Sequence, residues 1–293
     1  MIKYPEGKDD SSYTTDDTIV GLGQWSIKNT KLRILYVGDN VLSHKDRCIS
    51  DNTYLNTIEF GANISPNDLA QHISGNNVLM DINISENHQS LCSEKGVVYD
   101  ISKNTVWKYP EGRSLIEISS SATKIGAYAL AQCMQMKDDV VIPDNIEVID
   151  TNGLYACQNI TGISFNRTSR LTTLGARSLQ LLSRAKYGVF PASLKYIYES
   201  AFGSCWVMGN ITFNSIEAPQ LMDYSIDKGS SVFGSELNQW TGRDTSTRIV
   251  FVPTNSTGYD DESWINSIFS TQRISVGDDG ETKEYFYTLS QTL

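Results

Sequence analysis

Ile125-Gly126-Ala127-Tyr128-Ala129-Leu130-Ala131-Gln132-Cys133 decides the fold, because the chain writes it four times. A second copy runs from Ile149 to Cys157, with Leu154 and Cys157 in the matching places. A third runs from Leu174-Gly175 through Leu179 to Leu182, and a fourth from Ile197 through Ala201-Phe202 to Cys205. The lead residues 125, 149, 174 and 197 are 24, 25 and 23 apart. One such unit cannot bury its own apolar face. A fixed period of this length therefore means a solenoid of stacked turns. The shared phase predicts one column of lead residues and another of Cys133, Cys157, Leu182 and Cys205.

A second series lies out of phase with the first. Apolar-x-apolar runs stand at Leu35-Tyr36-Val37, Ile58-Glu59-Phe60, Ile82-Asn83-Ile84, Ile116-Glu117-Ile118 and Val140-Val141-Ile142. They continue at Ile163-Ser164-Phe165, Gly188-Val189-Phe190, Ile211-Thr212-Phe213 and Ile249-Val250-Phe251. Alternation with period two marks a half-buried strand, so each run is one rung with its middle residue outward. The apolar offsets +4, +5 and +8 of the ladder fit a short helical or 3₁₀ turn between rungs. The fold class is an α/β solenoid of about nine strand rungs with a period of about 23–25 residues.

Two longer steps mark insertions. Gly96-Val97-Val98-Tyr99-Asp100 and Thr105-Val106-Trp107-Lys108-Tyr109 flank Ile101-Ser102-Lys103-Asn104, a hairpin pattern over about 96–109. The second insertion, about 218–245, holds Tyr224, Phe233 and Trp240 and shows no such order. The expected organisation is a solenoid over 1–276 closed by 249–276, then a tail over 277–293. In that tail Gly277-Asp278-Asp279-Gly280 turns into a short strand, Tyr285 to Leu289.

Pro143 and Pro191 follow their strands directly, and the reading strand-Pro-x-x-apolar-x-x-Ile-Gly-x-x-Ala-Phe/Leu-x-x-Cys results. Val140 to Ile149 and Phe190 to Cys205 carry it, and it resembles the BspA-like leucine-rich repeats of Bacteroidetes surface proteins. Gly96 to Tyr99 with Lys108 to Gly112 is similar to that family's inserted hairpin. Phe251-Val252-Pro253 with Tyr259 and Trp264 is similar to its closing segment. The resemblance covers about residues 2–275 and is weaker between 40 and 110, where Cys48 and Cys92 fall out of phase. It implies an extracellular, non-enzymatic leucine-rich repeat protein that binds host protein or glycan.

Composition bounds the function. A net charge of −10 disfavours nucleic acid and anionic membrane, which both reward positive charge. A hydrophobic fraction of 40% without a long apolar run predicts no membrane span. Cys133, Cys157 and Cys205 share a position where Leu182 stands in, so they read as packed thiols without disulfides. No CxxC pair or His-x₃-His spacing exists, which predicts no metal site and no cofactor. His44, His72 and His88 lack a nucleophile at motif spacing and read as surface or loop residues. The acidic pairs Asp16-Asp17, Asp138-Asp139, Asp260-Asp261 and Asp278-Asp279 read as solvated turns.

Candidate binding residues are the outward row Tyr36, Glu59, Asn83, Glu117, Ser164 and Thr212, with Val141, Val189 and Val250 beside them. Tyr224 and Trp240 of the second insertion are stacking or anchoring candidates. Met1-Ile2-Lys3-Tyr4-Pro5-Glu6-Gly7 repeats Val106 to Gly112, so the sequence opens partway through a hairpin unit without a basic-then-apolar leader. A piece of a longer exported protein would sit outside the cell or on its surface. A complete chain made without export would suit a bacteriophage virion, with an assembly partner at the termini. A β-helix polysaccharide lyase or hydrolase is the third reading, expected to show three strands per turn.

Overall fold

The computed structural model describes residues 4, 9–222, 249–261, 263–264, 273–278 and 281–286. The chain forms two compact units, Met1–Met136 and Lys137–Leu293.

The N-terminal unit is a solenoid whose turns carry short strands on three sides. Ser12–Thr14, Ile34–Val37, Thr57–Phe60 and Asp81–Ile84 form a parallel sheet. Its register stacks Tyr13, Leu35, Ile58 and Ile82 in one column, and Val37, Phe60 and Ile84 in another. Leu35, Ile58 and Ile82 are fully buried, as period-two patterning requires. Gly21–Leu22 pairs with Ser43–His44, and Ile27–Lys28 with Ile49–Ser50 and then Ile73–Ser74. In the third turn a helix, Pro66–His72, opens with proline at its first turn and buries Leu69.

An antiparallel meander of Leu91–Glu94, Val97–Asp100 and Thr105–Lys108 follows. The last two strands are the expected hairpin; Leu91–Glu94 is an unforeseen third. The meander covers the edge of the four-stranded sheet, where Ile82 N–H donates to Gly96 O at 2.9 Å. Within the motif repeated at residues 1–7 and 106–112, Tyr4 and Tyr109 make the same backbone bond. Tyr4 N–H donates to Ser26 O and Tyr109 N–H to Ala129 O, each acceptor four residues past a lead, Leu22 or Ile125.

In the C-terminal unit Asp138–Ile142, Ile160–Phe165, Tyr187–Phe190, Asn210–Phe213, Ile249–Pro253 and Arg273–Asp278 run parallel. Glu281–Phe286 returns antiparallel. The C-terminal strand thus begins earlier than Tyr285, and its partner Arg273–Asp278 belongs to the main sheet. Val148–Ile149, Thr173–Leu174, Tyr196–Ile197 and Gln220–Leu221 form the second sheet. Ile149, Leu174 and Ile197 stack in register and are fully buried. Phe165, Phe190 and Phe213 stack at 5.6 and 5.3 Å between centroids. Gly188, on an inward position, leaves room for the Phe190 ring. Tyr259 and Trp264 seal this aromatic core; their polar atoms donate to Ser215 O at 3.1 Å and Pro219 O at 2.9 Å.

The ladder motif is not the expected helical turn. It is a pair of linked turns with left-handed residues three and seven positions past each lead. These are Tyr128 and Gln132, Asn152 and Ala156, Arg177 and Leu181, Ser200 and Ser204. Trp25 and Asn29, then Arg47 and Asp51, repeat the pattern in the first turns. Every second N–H inside the motif goes to the next rung: Asn152 to Ala176 O, Leu154 to Ser178 O, Ala156 to Gln180 O. The alternate ones close i−3 turns, as Gly153 to Asp150 O and Tyr155 to Asn152 O. A helix would spend all of these donors within itself. Here half of them lace the turns together, and this offsets roughly 1–2 kcal/mol per left-handed residue.

Two strand expectations also fail. Ile116-Glu117-Ile118 is not a strand. Its flanking backbone is held by tyrosine hydroxyls, since Tyr109 Oη donates to Leu115 O at 2.5 Å and accepts from Glu117 N–H at 3.0 Å. Tyr99 Oη accepts from Ser119 N–H at 2.9 Å. In Ile249–Pro253 the phase is shifted: Val250 pairs with inward Ile211 and is buried, so Phe251 faces outward. A run apolar on both faces carries no period-two signal.

Candidate binding faces

Each unit presents one outward column on its long-stranded sheet. In the N-terminal unit the register aligns Thr14, Tyr36, Glu59 and Asn83. The expected Tyr36, Glu59 and Asn83 therefore come together, and Asn83 Nδ2 donates to Glu59 Oε1 at 2.9 Å. Thr14 completes the column; its short strand has one apolar residue and gave no pattern. Tyr36 is the exposed aromatic of this face.

In the C-terminal unit the column is Val141, Ser164, Val189, Thr212 and Phe251. Ser164 and Thr212 stand where the sequence puts them, and Phe251 replaces Val250. Val141 is 50% exposed. These five residues carry no charge, whereas the N-terminal column carries Glu59; the register continues through Ser275 to Glu284.

A neighbouring column was missed. Asp139, Gly162, Tyr187 and Asn210 share one register position on four adjacent strands, all on the outward side. Tyr187 hydrogen-bonds to Asp139, and this bond, with burial second, pushes its phenol above the usual range. Thr161 Oγ1 donates to Asp139 Oδ1 at 2.9 Å. A Cβ on Gly162 would overlap the Tyr187 ring, so the ring lies across the glycine. A glycine inside a strand marks such a close approach, and that was the available signal.

Other expected residues fall elsewhere. Glu117 is exposed in the loop held by Tyr109, off either column. Tyr224 and Trp240 lie outside the described residues. Of the histidines expected on the surface or in loops, His44 is buried in a strand, His72 is half-buried at the end of the helix, and His88 lies in a loop. His44 packs edge-on to Phe60 at 5.8 Å. His88 is buried; its Nδ1 accepts from Ser90 and Leu91 N–H, which leaves Nε2–H to donate to Ile64 O at 2.8 Å. All five cysteines are thiols, and Cys48, Cys133, Cys157 and Cys205 are buried. Among the described residues no group of three metal-ligating side chains converges. No helix among them is long and apolar enough to cross a membrane.

The fold and these faces define a leucine-rich-repeat solenoid. Residues 103–226 match the family model "BspA type Leucine rich repeat region" in six copies. A search of curated proteins found no match. A leucine rich cell surface protein from Faecalibacterium prausnitzii A2-165 shares the fold at 18% identity and a TM-score of 0.58. The overlap covers 88% of this chain and 62% of that one. A leucine-rich repeat protein from Bacteroides ovatus ATCC 8483 overlaps at 12% identity and a TM-score of 0.38, over 90% and 71% of the two chains.

Proposed function

We propose that this chain is a non-catalytic binding or adhesion module recognising a host protein or a glycan at a cell surface. The observation that carries the reading is the pair of level outward columns, each held rigid by ladder hydrogen bonds to its neighbours. Solenoids bind along such extended faces. The Faecalibacterium protein, described as a cell surface protein, supports an extracellular setting. Nothing in the comparisons supports the virion reading. Three strands per turn do occur in the N-terminal unit, so strand count does not separate this fold from a β-helix enzyme. His44, however, packs on the Phe60 ring, and both ring nitrogens of His88 are bonded to backbone. The insertion bearing Tyr224 and Trp240 is a second proposed contact.

Arrays of glycans and of extracellular proteins, probed with the labelled chain, test this. Binding to at least one ligand is expected. Affinity should change little between roughly 50 and 200 mM salt, unlike a counterion-release interface. Val141→Asp with Thr212→Asp should weaken that binding by about tenfold or more, by placing charge on a desolvated face. Release of reducing ends from any polysaccharide by pure protein would overturn the proposal. So would full affinity in the strand-face variants and in the double replacement of Tyr224 and Trp240 by Ala.

A further inference from the structure

We propose that Tyr187, laid across Gly162 and tied to Asp139, is a stacking platform for the apolar face of a neutral pyranose. This rests on the reading that the strand face binds ligand, and it names the ligand class on the C-terminal unit.

The argument starts from three strands. Asp139, Gly162 and Tyr187 occupy one register position on neighbouring strands. To reach Asp139 the Tyr187 side chain must cross the whole width of the middle strand. It can do so because the residue beneath has no Cβ. Gly162 sits on the outward side yet is buried, so the ring covers it. The ring is fixed at both ends, by its own backbone and by the Asp139 bond. Such a ring loses little rotamer freedom when a ligand stacks on it, which is what a pre-organised platform needs.

The surroundings select the ligand. Val141 and Val189 of the adjacent column extend the apolar floor, and Ser164 stands between them. Asp139, Thr161 and Asn210 place carboxylate, hydroxyl and amide groups along the rim. A pyranose presents this combination in mirror image, with C–H groups on one face and hydroxyls around its edge. The Asp139 carboxylate disfavours acidic sugars by like-charge repulsion and accepts bonds from hydroxyls. A flat apolar peptide side chain would use the floor but make no bond to the rim groups.

The test is a titration of backbone amide shifts on the ¹⁵N-labelled full chain. The probes are methyl β-D-glucopyranoside, methyl β-D-galactopyranoside and methyl N-acetyl-β-D-glucosaminide, each to about 50 mM, because one stacked sugar ring binds in the millimolar range. Shifts are expected at Asp139, Gly162, Ser164, Tyr187 and Asn210 with at least one sugar. Tyr187→Ala should abolish them. Gly162→Ala should too, since the new methyl would collide with the far end of the Tyr187 ring and with Asp139 Oδ1 and push the ring off its seat. Unchanged shifts elsewhere will show that each variant is folded. Tyr187→Phe keeps the ring but not its tether and should weaken binding by roughly threefold. No shift with any of the three sugars, or shifts surviving both Tyr187→Ala and Gly162→Ala, overturns the platform. If the sugars fail while an array protein loses affinity in Tyr187→Ala, only the sugar assignment falls and the binding face stands. Array binding indifferent to Tyr187→Ala and to Val141→Asp would remove the face itself.

Discussion

Eight residues past the lead position, the first turns of the N-terminal unit and the turns of the C-terminal unit solve the same packing problem in opposite ways. In the C-terminal unit that position is Cys157, Leu182 and Cys205, all buried. The N–H groups of Cys157 and Cys205 close turns on their own rung, to Leu154 O at 3.4 Å and Phe202 O at 3.3 Å. At Cys133, eight past Ile125, the N-terminal unit carries the same buried thiol, but in its first turns the position is Thr30, then Asn52, and Asn76 continues the line. Each backbone N–H there is taken by the side chain of the next rung. Thr30 N–H donates to Asn52 Oδ1 at 2.9 Å, Asn52 N–H to Asn76 Oδ1 at 3.1 Å, and Asn76 N–H to Glu111 Oε2 at 2.7 Å. Asn52 and Asn76 return their own amides to Ile27 O and Ile49 O. The line ends in a buried ion pair, Lys108 to Glu111 at 2.9 Å, with side chains 1% and 0% exposed. Lys108 also donates to Ile73 O at 2.9 Å.

The difference teaches how a solenoid terminates an interior. An apolar column can continue through any number of rungs because each residue needs only contact. A hydrogen-bonded column has direction, and its last donor must find an acceptor. Glu111 supplies it, and Lys108 compensates the carboxylate. Both come from the Lys108-Tyr109-Pro110-Glu111-Gly112 segment. Gly112 lies so close to the backbone of Val78 and Leu79 that a Cβ would clash. The polar column thereby fixes the register at which that segment docks, a specificity role attested for buried polar groups.

The largest effect should come from breaking the polar column in its middle. Asn52→Leu leaves the N–H and hydroxyl of Thr30 and the carbonyl of Ile27 unsatisfied. A loss of about 4 kcal/mol is expected, summed from roughly 1–3 kcal/mol for each orphaned group. Denaturant midpoints, or exchange protection of the N-terminal unit, will measure it. A loss no greater than that of Cys157→Leu, which should be under about 1.5 kcal/mol, would mean that the ladder contributes nothing beyond contact.

Lys108→Met comes next and depends on pH. Burial holds the Glu111 carboxyl above its ordinary value near 4.5, against the pull of Lys108 and of the Asn76 and Gly75 N–H groups. An acid raised by folding contributes stability below its unfolded value and loses it as pH rises through the folded one. Removing Lys108 raises Glu111 further and widens that loss. The variant should be destabilised by about 3 kcal/mol at pH 7 and by less below about pH 4.5, where the carboxyl is protonated in both states. A pH-independent deficit would contradict the pairing.

The reciprocal change, Leu182→Asn, puts a single amide into the apolar column with no ladder to join. It should cost about 2–3 kcal/mol in the same measurement. A neutral result would show that the C-terminal unit tolerates either chemistry. The smallest effect belongs to Glu117→Ala, on an exposed loop whose N–H rather than side chain is used. Less than about 0.5 kcal/mol is expected.

Much of this was legible. The steps of 23–25 residues placed the rungs. Leu35, Ile58, Ile163 and Phe213 point inward as their alternation required, and Tyr36, Glu59, Asn83, Ser164 and Thr212 outward. Leucine at position 182 marked the position of Cys157 and Cys205 as a packed one, and all three are buried. The polar column escaped because an apolar period was sought, and Thr30, Asn52 and Asn76 interrupt one. The corner turns escaped because Arg177, Leu181 and Tyr128 give no sign of left-handed backbone, and asparagine marks such a corner only at Asn29 and Asn152. Glu117 was misplaced because a three-residue alternation cannot report whether a neighbouring strand or a tyrosine hydroxyl takes its backbone bonds.

The sequence by itself determined the period, the inward face of each rung and the class of fold. These depend on local spacing, and hydrophobic burial reads spacing. Only the tertiary structure decided which polar groups could be interior and which ring would lie across which glycine. Thr30 and Asn52 are 22 residues apart, and Tyr187 and Asp139 are 48. Their partnership exists only after the turns are stacked, when a hydrogen bond of about 3 Å replaces water that the core has excluded.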